Sequence, residues 1–192
     1  MTERSFFDER QWETVEAAMS RIIPSDDGPG AREAGTVRFL DRYLSGVIYA
    51  KADGSGFREP AGADADAWRQ RIEALRTQYQ HGIEDLDRRS REEYGEEFRA
   101  LAPEQQDRVL AVVEEAGDRG EAAGLQEPAT EEGLDFFALL VLHTRQGFYS
   151  DPVYGGNADH VGWRHLGFPG PSSMAEVHSG AWSTLPYFED AT

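Results

Sequence analysis

The sequence predicts an all-α protein: an irregular bundle of five to six helices followed by an extended C-terminal segment rich in Gly, Pro and aromatic residues. Apolar residues recur at helical spacing through most of the first 148 residues. No convincing strand is predicted, because no sustained run alternates large apolar and polar residues. The 192 residues suit one domain. We divide it into a helical bundle, residues 1–148, and a segment wrapped on that bundle, residues 149–192.

The first two helices carry similar apolar stripes. Asp8 is a suitable N-cap, Gln11 stands where a capping box needs it, and Pro24 ends the first helix. After the loop at residues 24–30, the second stripe repeats the spacing of the first, so the two faces can pack together. The first stripe consists of Trp12, Val15, Met19, Ile22 and Ile23, and the second of Val37, Leu40, Leu44, Val47 and Ile48.

A long third helix is predicted from Asp64 to Ser90, after a connection that contains Gly54. Its apolar positions follow a near-heptad pattern, which indicates one continuous buried face. Gly82 lies inside it, and glycine costs about 1 kcal/mol in a helix interior. One straight helix and two helices with a bend at Gly82 both fit this sequence.

Two further helices complete the bundle. Pro103 fits the first position of the fourth, because its missing N–H is unpaired there in any case. Residues 117–129, rich in Gly, Ala and acidic residues, are predicted to be a solvated connection. Thr130 is predicted to cap the fifth helix, which is the most apolar of the set and belongs at the centre of the bundle.

Composition and charge exclude several classes of function. The net charge is −17, which disfavours nucleic acid and anionic membrane surfaces as partners. The chain has no cysteine, which excludes disulfides, thiolate metal sites and thiol nucleophiles. No apolar run reaches the length of a membrane helix, so we expect no membrane insertion. The first residues lack the pattern of a signal peptide, so we expect a cytoplasmic location.

Candidate catalytic and metal-binding patterns are weak. Asp159, His160 and His165 lie close in sequence, but the two histidines do not have the one-turn spacing of a zinc site. His143 lies beside an apolar stripe, where a hydrogen-bonded packing role is the common one. A nucleophile elbow and a phosphate-binding loop are both absent. We therefore expect no catalytic, cofactor or metal site; a metal-dependent enzyme using Asp159, His160 and His165 stays as the alternative.

The stretch at residues 150–157, SDPVYGGN, has the composition of a shaped loop. Pro152 fixes one backbone angle, while Gly155, Gly156 and Asn157 can adopt positive φ and reverse the chain sharply. Aromatic residues around the loop then either cap the helical core or form a contact surface. The composition fits both roles.

Two stretches near opposite ends of the chain place Gly, Pro and aromatic residues in a distinctive order. The first is Arg21-Ile22-Ile23-Pro24-Ser25-Asp26 with Gly28-Pro29-Gly30-Ala31 and Glu33-Ala34-Gly35. The second is Gly147-Phe148-Tyr149-Ser150-Asp151-Pro152 with Tyr154-Gly155-Gly156-Asn157, Gly162-Trp163, Gly167 and Pro169-Gly170. In this order and at this separation, they resemble the N-terminal and C-terminal motifs of the gluconate 2-dehydrogenase subunit 3 family.

The resemblance implies a non-catalytic small subunit without a cofactor of its own. Its partner is then a large flavoprotein of the glucose-methanol-choline oxidoreductase type, which binds FAD and oxidises a sugar or glycoside. A cytochrome c subunit often accepts the electrons. The small subunit supports folding, stability and export of the flavoprotein, often through a twin-arginine signal. The first residues of this sequence carry no such signal, so either the complex is cytoplasmic or another subunit supplies it.

The residues that match the two motifs are the candidate partner interface or structural motif. The core of the set is a loop cluster, and the N-terminal pair is expected to support it. An alternative is a helical interaction protein with an unrelated partner. The candidates are Pro24, Asp26, Tyr149, Asp151, Pro152, Tyr154, Gly155, Gly156, Asn157 and Trp163.

Overall fold

A computed structural model describes residues 6–46, 49–50, 57–58, 61–117, 131, 133–171 and 174–183. Helices dominate these residues, and the predicted all-α fold class, an irregular helical bundle, is confirmed. The α-helices are α1 Glu9–Ile22, α2 Ala31–Ala34, α3 Thr36–Leu44, α4 Ala63–Tyr94, α5 Pro103–Ala116, α6 Phe136–Tyr149, α7 Val161–His165 and α8 Met174–Ser179. Short 3-10 turns occupy Phe98–Ala100, Pro152–Tyr154 and Ala158–His160.

The capping box predicted for α1 is present. The Asp8 carboxylate accepts a hydrogen bond from the Gln11 backbone N–H at 2.8 Å, and the Gln11 side chain accepts one from the Asp8 N–H at 3.0 Å. These bonds pair donors that every helix start leaves open. The helix ends at Ile22, just ahead of Pro24, as expected.

The predicted second helix is two helices. Gly35 adopts φ 67° and separates α2 from α3, because a left-handed residue closes one helix and redirects the chain. The buried stripe over Val37, Leu40 and Leu44 lies on α3 as predicted. Val47 and Ile48 fall outside the described residues.

A short antiparallel pair, β1 Tyr49–Ala50 and β2 Phe57–Arg58, lies in the connection between α3 and α4. The sequence shows no strand pattern there. Two residues on each side are too few for an alternating pattern to be visible. The Gly54 part of the connection lies outside the described residues.

The long α4 continues through Gly82 without interruption, from Ala63 to Tyr94. Tertiary packing requires glycine at position 82, because a Cβ there would overlap the ring of Phe136 at the start of α6. Glycine at this position carries a conformational cost within α4, but its missing side chain allows α6 to approach closely. The helix extends beyond the predicted end at Ser90 and stops at Gly95, which has φ 79°.

The start of α6 corrects the predicted boundary. The helix begins at Phe136 rather than after Thr130, because Asp135 is the N-cap and accepts a hydrogen bond from Ala138 N at 2.8 Å. Thr130 lies outside the described residues, as does all of the predicted connection except Gly117. The central position of α6 is correct, since it contacts α1 to α5 and buries Leu139 and Leu140 completely.

The segment after α6 is less extended than predicted. It folds as a succession of short helical turns over residues 152–154, 158–165 and 174–179. Hydrogen-bonding side chains and glycines set these turns, so the segment lacks the apolar periodicity that identifies a long helix. None of the helices in the described part of the chain combines the length and apolar character that crossing a bilayer requires.

Candidate functional site

The two sequence motifs lie against each other in the fold. The helix α2 contacts both the turn Ala158–His160 and α7, so the N-terminal motif meets the C-terminal one. A Cβ added at Gly28 would lie 3.2 Å from Nδ1 of His165, which shows how closely that loop approaches α7. Residues far apart in the chain thus form one composite surface unit. We call residues 150–170 the motif segment.

The N-terminal motif is a loop closed by its own polar groups. The Ser25 hydroxyl donates to the Glu33 carboxylate at 2.6 Å, and the Gly30 N–H donates to the same oxygen at 2.8 Å. These hydrogen bonds lower the pKa of Glu33, and the one from Ser25 has the largest effect. A Cβ at Gly30 would lie 2.6 Å from the carbonyl oxygen of Ile23, so this position requires glycine. Pro24 is half-buried in this loop, and Asp26 is exposed.

The first turn of the motif segment is capped by Asp151. Its carboxylate accepts a hydrogen bond from Val153 N at 2.9 Å, with Pro152 at the start of the turn. Gly155 ends the turn with φ 104°. The Arg42 guanidinium, on α3, donates to the Val153 carbonyl at 3.3 Å. The turn is thus attached to the bundle by a hydrogen bond as well as by packing.

Two glycines let the motif segment lie directly on α6. A Cβ at Gly156 would overlap the carbonyl group of Gly147, and one at Gly162 would overlap the carbonyl oxygen of Phe148. In both cases the obstacle is backbone, which cannot rotate away as a side chain can. The spacing of glycines in the motif is therefore a steric requirement of the fold.

Asn157 joins the two halves of the motif segment. Its side chain is fully buried, donates to the Ser150 carbonyl at 2.9 Å, and accepts from the Gly162 N–H at 2.8 Å. Its φ is 46°, and Asp159 and His160 are also left-handed at 51° and 58°. Non-glycine residues seldom adopt this conformation, so the surrounding contacts must hold it. Together these contacts define one rigid loop shape.

Trp163 packs inside the segment rather than facing solvent. Its indole N–H donates to the Tyr149 carbonyl at 2.8 Å, and the edge of its ring system meets Phe168 with centroids 5.4 Å apart. A Cβ at Gly170 would overlap the indole ring. Gly155, Gly156, Asn157 and Trp163 are all buried, so in this conformation they shape the segment.

Apolar groups nevertheless remain accessible on and beside the motif segment. Leu166 is 57% exposed, and Tyr149, at the end of α6, is 40% exposed. Arg164 and His165 are also exposed, whereas Tyr154 is half-buried. These accessible side chains are the ones that a partner could contact directly.

The alternative metal site is not assembled. His160 tilts onto the Trp163 indole with centroids 5.1 Å apart, while His165 faces the Gly28 loop. Within the described ranges, no three His, Asp or Glu side chains come close enough together to hold a metal ion. The sequence proximity of Asp159, His160 and His165 therefore does not become a ligand set.

A cleft of about 470 Å³ adjoins the motif segment. It lies between α3 and α6 and is bordered by Ser150 and Tyr154; we call it the α3–α6 cleft. Phe39 and Tyr43 stand along α3 with ring centroids 6.1 Å apart and planes 6° apart. The cleft continues the surface of the motif segment into the bundle.

The inner wall of the cleft contains a buried carboxylate that the sequence analysis did not identify. Glu131 accepts from the Tyr43 hydroxyl at 2.7 Å, from Arg71 Nε at 2.7 Å and from His143 Nε2 at 3.0 Å. The Tyr79 hydroxyl lies 2.7 Å from Nδ1 of the same histidine. His143 thus has the hydrogen-bonded packing role expected of it. Its place in an apolar stripe implied a polar partner, but nothing in the sequence indicated which one.

The network fixes the charge state of its members. Burial favours the neutral form of Glu131, but hydrogen bonds from His143, Arg71 and Tyr43 outweigh it and lower the pKa of this carboxyl to about 2. Burial and, second, the hydrogen bond to Glu131 raise the pKa of Tyr43 well above its ordinary value. Glu131 is therefore ionised at neutral pH, and Tyr43 remains a hydrogen-bond donor.

The family described as gluconate 2-dehydrogenase subunit 3 matches residues 9–170 of this chain. The match includes both motif stretches and every α-helix of the described residues except α8. Neither a curated protein nor a solved structure matches the chain.

Proposed function

We propose a function from the premise that the chain belongs to the gluconate 2-dehydrogenase subunit 3 family. The chain is a non-catalytic subunit that binds and stabilises a catalytic flavoprotein of the glucose-methanol-choline type. In this proposal, FAD and the oxidation of a sugar or glycoside belong to the large partner. A cytochrome c subunit is a further candidate component of the complex.

The observation that carries the proposal is the composite unit formed by the two motifs. Gly156 and Gly162 seat the motif segment on α6, and Asn157 holds its two halves together. Such pre-organisation lowers the entropy that a loop loses on binding. A segment held this firmly, with Leu166 and Tyr149 left accessible, has the properties of a docking element.

Interface size gives the proposal a physical scale. A stable subunit interface buries roughly 800 Å² on each partner. Two accessible apolar side chains cannot supply that area, so the interface must extend beyond Leu166 and Tyr149 over the surrounding surface. The exposed residues of α7 and the α3–α6 cleft adjoin them and can enlarge the contact.

Coexpression tests this function. The candidate flavoprotein partner is produced with and without this chain, the chain carries an affinity tag, and the FAD in the purified fractions is quantified by absorbance. We expect the flavoprotein to copurify with the chain, and its soluble, FAD-loaded yield to fall sharply when the chain is left out. Equal yields of active enzyme in both cultures, together with no copurification, would rule the proposal out.

A further inference from the structure

Tyr79 is a buried tyrosine whose hydroxyl group pairs with a histidine. The residue lies within α4 and is completely buried. Its hydroxyl oxygen lies 2.7 Å from Nδ1 of His143, which is also completely buried. A phenol gives up its proton readily when it loses an electron. The group that can receive this proton therefore decides whether the side chain can be oxidised in place.

The hydrogen-bond network orients His143 so that Nδ1 faces Tyr79 as an acceptor. The Glu131 carboxylate is ionised at neutral pH and can only accept hydrogen bonds. It lies 3.0 Å from Nε2 of His143, so that nitrogen carries a hydrogen. In the neutral form of the ring, Nδ1 then has a free lone pair. The Tyr79 hydroxyl donates to this lone pair, and the phenol, the imidazole and the carboxylate form one hydrogen-bonded chain.

Aromatic rings surround this pair and connect it with the α3–α6 cleft. The rings of Phe7 and Phe136 meet the Tyr79 ring edge to face, with centroids 6.3 Å and 5.6 Å away. The half-buried Tyr43 borders the cleft, and its ring centroid lies 5.4 Å from that of His143. Rings this close allow an electron to pass from the core to the cleft, while the packing keeps solvent away from the phenol.

We infer that Tyr79 is a one-electron oxidation site, at which the phenol passes its proton to Nδ1 of His143 as the electron leaves. The O–H bond of Tyr79 breaks and an N–H bond forms on His143, which gives a neutral tyrosyl radical and an imidazolium. The electron reduces a strong one-electron oxidant, such as an oxygen-derived radical, that reaches the cleft. The Glu131 carboxylate stabilises the new positive charge. Return of one electron and the same proton restores the phenol.

Two other tyrosines near the core lack such a base. The Tyr43 hydroxyl donates to Glu131 at 2.7 Å, and a carboxyl with a pKa of about 2 is a weaker base than an imidazole. Tyr94 lies on α4, as Tyr79 does, but its buried hydroxyl oxygen has no hydrogen-bond partner in the part of the chain that the structure describes. Of these three phenols, Tyr79 therefore has the strongest proton acceptor.

Flash oxidation of the purified chain tests the inference, with a ruthenium tris-bipyridine complex as the photo-oxidant and electron paramagnetic resonance as the detector. We expect the wild type to form a long-lived neutral tyrosyl radical and Tyr79→Phe to lose that signal. Tyr94→Phe is the matched control, because it makes the same change on the same helix, and it should retain the signal. A wild type without a tyrosyl radical, or an equal signal in the two variants, overturns the inference.

The destination of the proton is measured on the wild type, so this result does not depend on the folding of a variant. Because the proton moves with the electron, we expect the radical to form more slowly in D₂O than in H₂O. High-field spectra should show that the radical oxygen accepts a hydrogen bond from the His143 imidazolium. Equal rates in the two solvents, or a radical oxygen without this hydrogen bond, would contradict transfer to His143. The inference stands apart from the proposed binding of a flavoprotein, since the purified chain alone is tested.

Discussion

The bundle and the motif segment are held together by different physical means. The bundle buries apolar side chains from α1 to α6, and its centre at Leu139 and Leu140 excludes solvent completely. The motif segment depends on glycines that permit backbone contact and on the side chain of Asn157. Apolar burial supplies most of the stability of a domain, whereas such directional contacts select one conformation. The difference indicates that the bundle provides stability and that the motif segment provides a defined shape.

The largest expected effect comes from the centre of the bundle. Leu140→Ala removes buried methyl groups and leaves a cavity, so we expect the free energy of unfolding to fall by about 4 kcal/mol. Chemical denaturation followed by circular dichroism measures it. Val112→Ala on α5 is the control, because Val112 is 43% exposed and should change stability by less than about 0.5 kcal/mol. Similar losses in both variants would contradict the central position of α6.

A second prediction concerns Glu131, whose folded-state pKa is lowered from 4.5 to about 2. A lowered pKa stabilises the fold above the unfolded value of 4.5, and this contribution is lost as the pH falls toward 2. The loss is on the order of 3 kcal/mol for the wild type. Glu131→Gln should lack this part of the acid-dependent loss and be less stable than the wild type at neutral pH.

Urea unfolding at several pH values between neutrality and about pH 2 measures this difference. Glu33→Gln is the comparison, since Glu33 also has a lowered pKa but is exposed, so its removal should alter the pH profile much less. The assignment fails if Glu131→Gln and the wild type lose stability in parallel as the pH falls.

The third and smallest effect lies in the motif segment. Gly156→Ala forces a Cβ against the Gly147 backbone, and we expect a loss of about 2 kcal/mol in stability. Gly167→Ala is the matched control, because Gly167 has φ 70° but no atom within 4 Å of an added Cβ. It should cost only the conformational strain, about 1 kcal/mol. Thermal unfolding of both variants measures the difference in stability. An equal loss of stability in the two variants would mean that the motif segment does not pack directly against the backbone of α6.

Sequence patterns predicted those features that local physics determines. The α1 capping box, the stripe on α3 and the start of α5 at Pro103 each depend on residues within a few positions of one another. The start of α6 was misplaced, because Thr130 and Asp135 are both acceptable N-caps by type. Only the folded chain selects between them.

Sequence patterns could not predict the contacts between residues that lie far apart in the chain. Glu131 meets Tyr43 and Arg71 from distant parts of the chain, and no local signal in the sequence distinguishes this buried carboxylate from the acidic residues on the surface. The reason for Gly82 likewise became clear only from the approach of Phe136. The glycines of the motif segment were recognised as a pattern, but the backbone contacts that require them were not.

The binding of the flavoprotein to two surface variants tests most directly whether the motif segment, and not the α5 face of the bundle, docks the partner. Leu166→Glu places a charge on the motif segment, and Val112→Glu places one on the bundle; both positions are exposed apolar residues. We expect Leu166→Glu to weaken binding by about tenfold or more and Val112→Glu to bind like the wild type. Unchanged binding by Leu166→Glu, with a loss in Val112→Glu, would contradict the account.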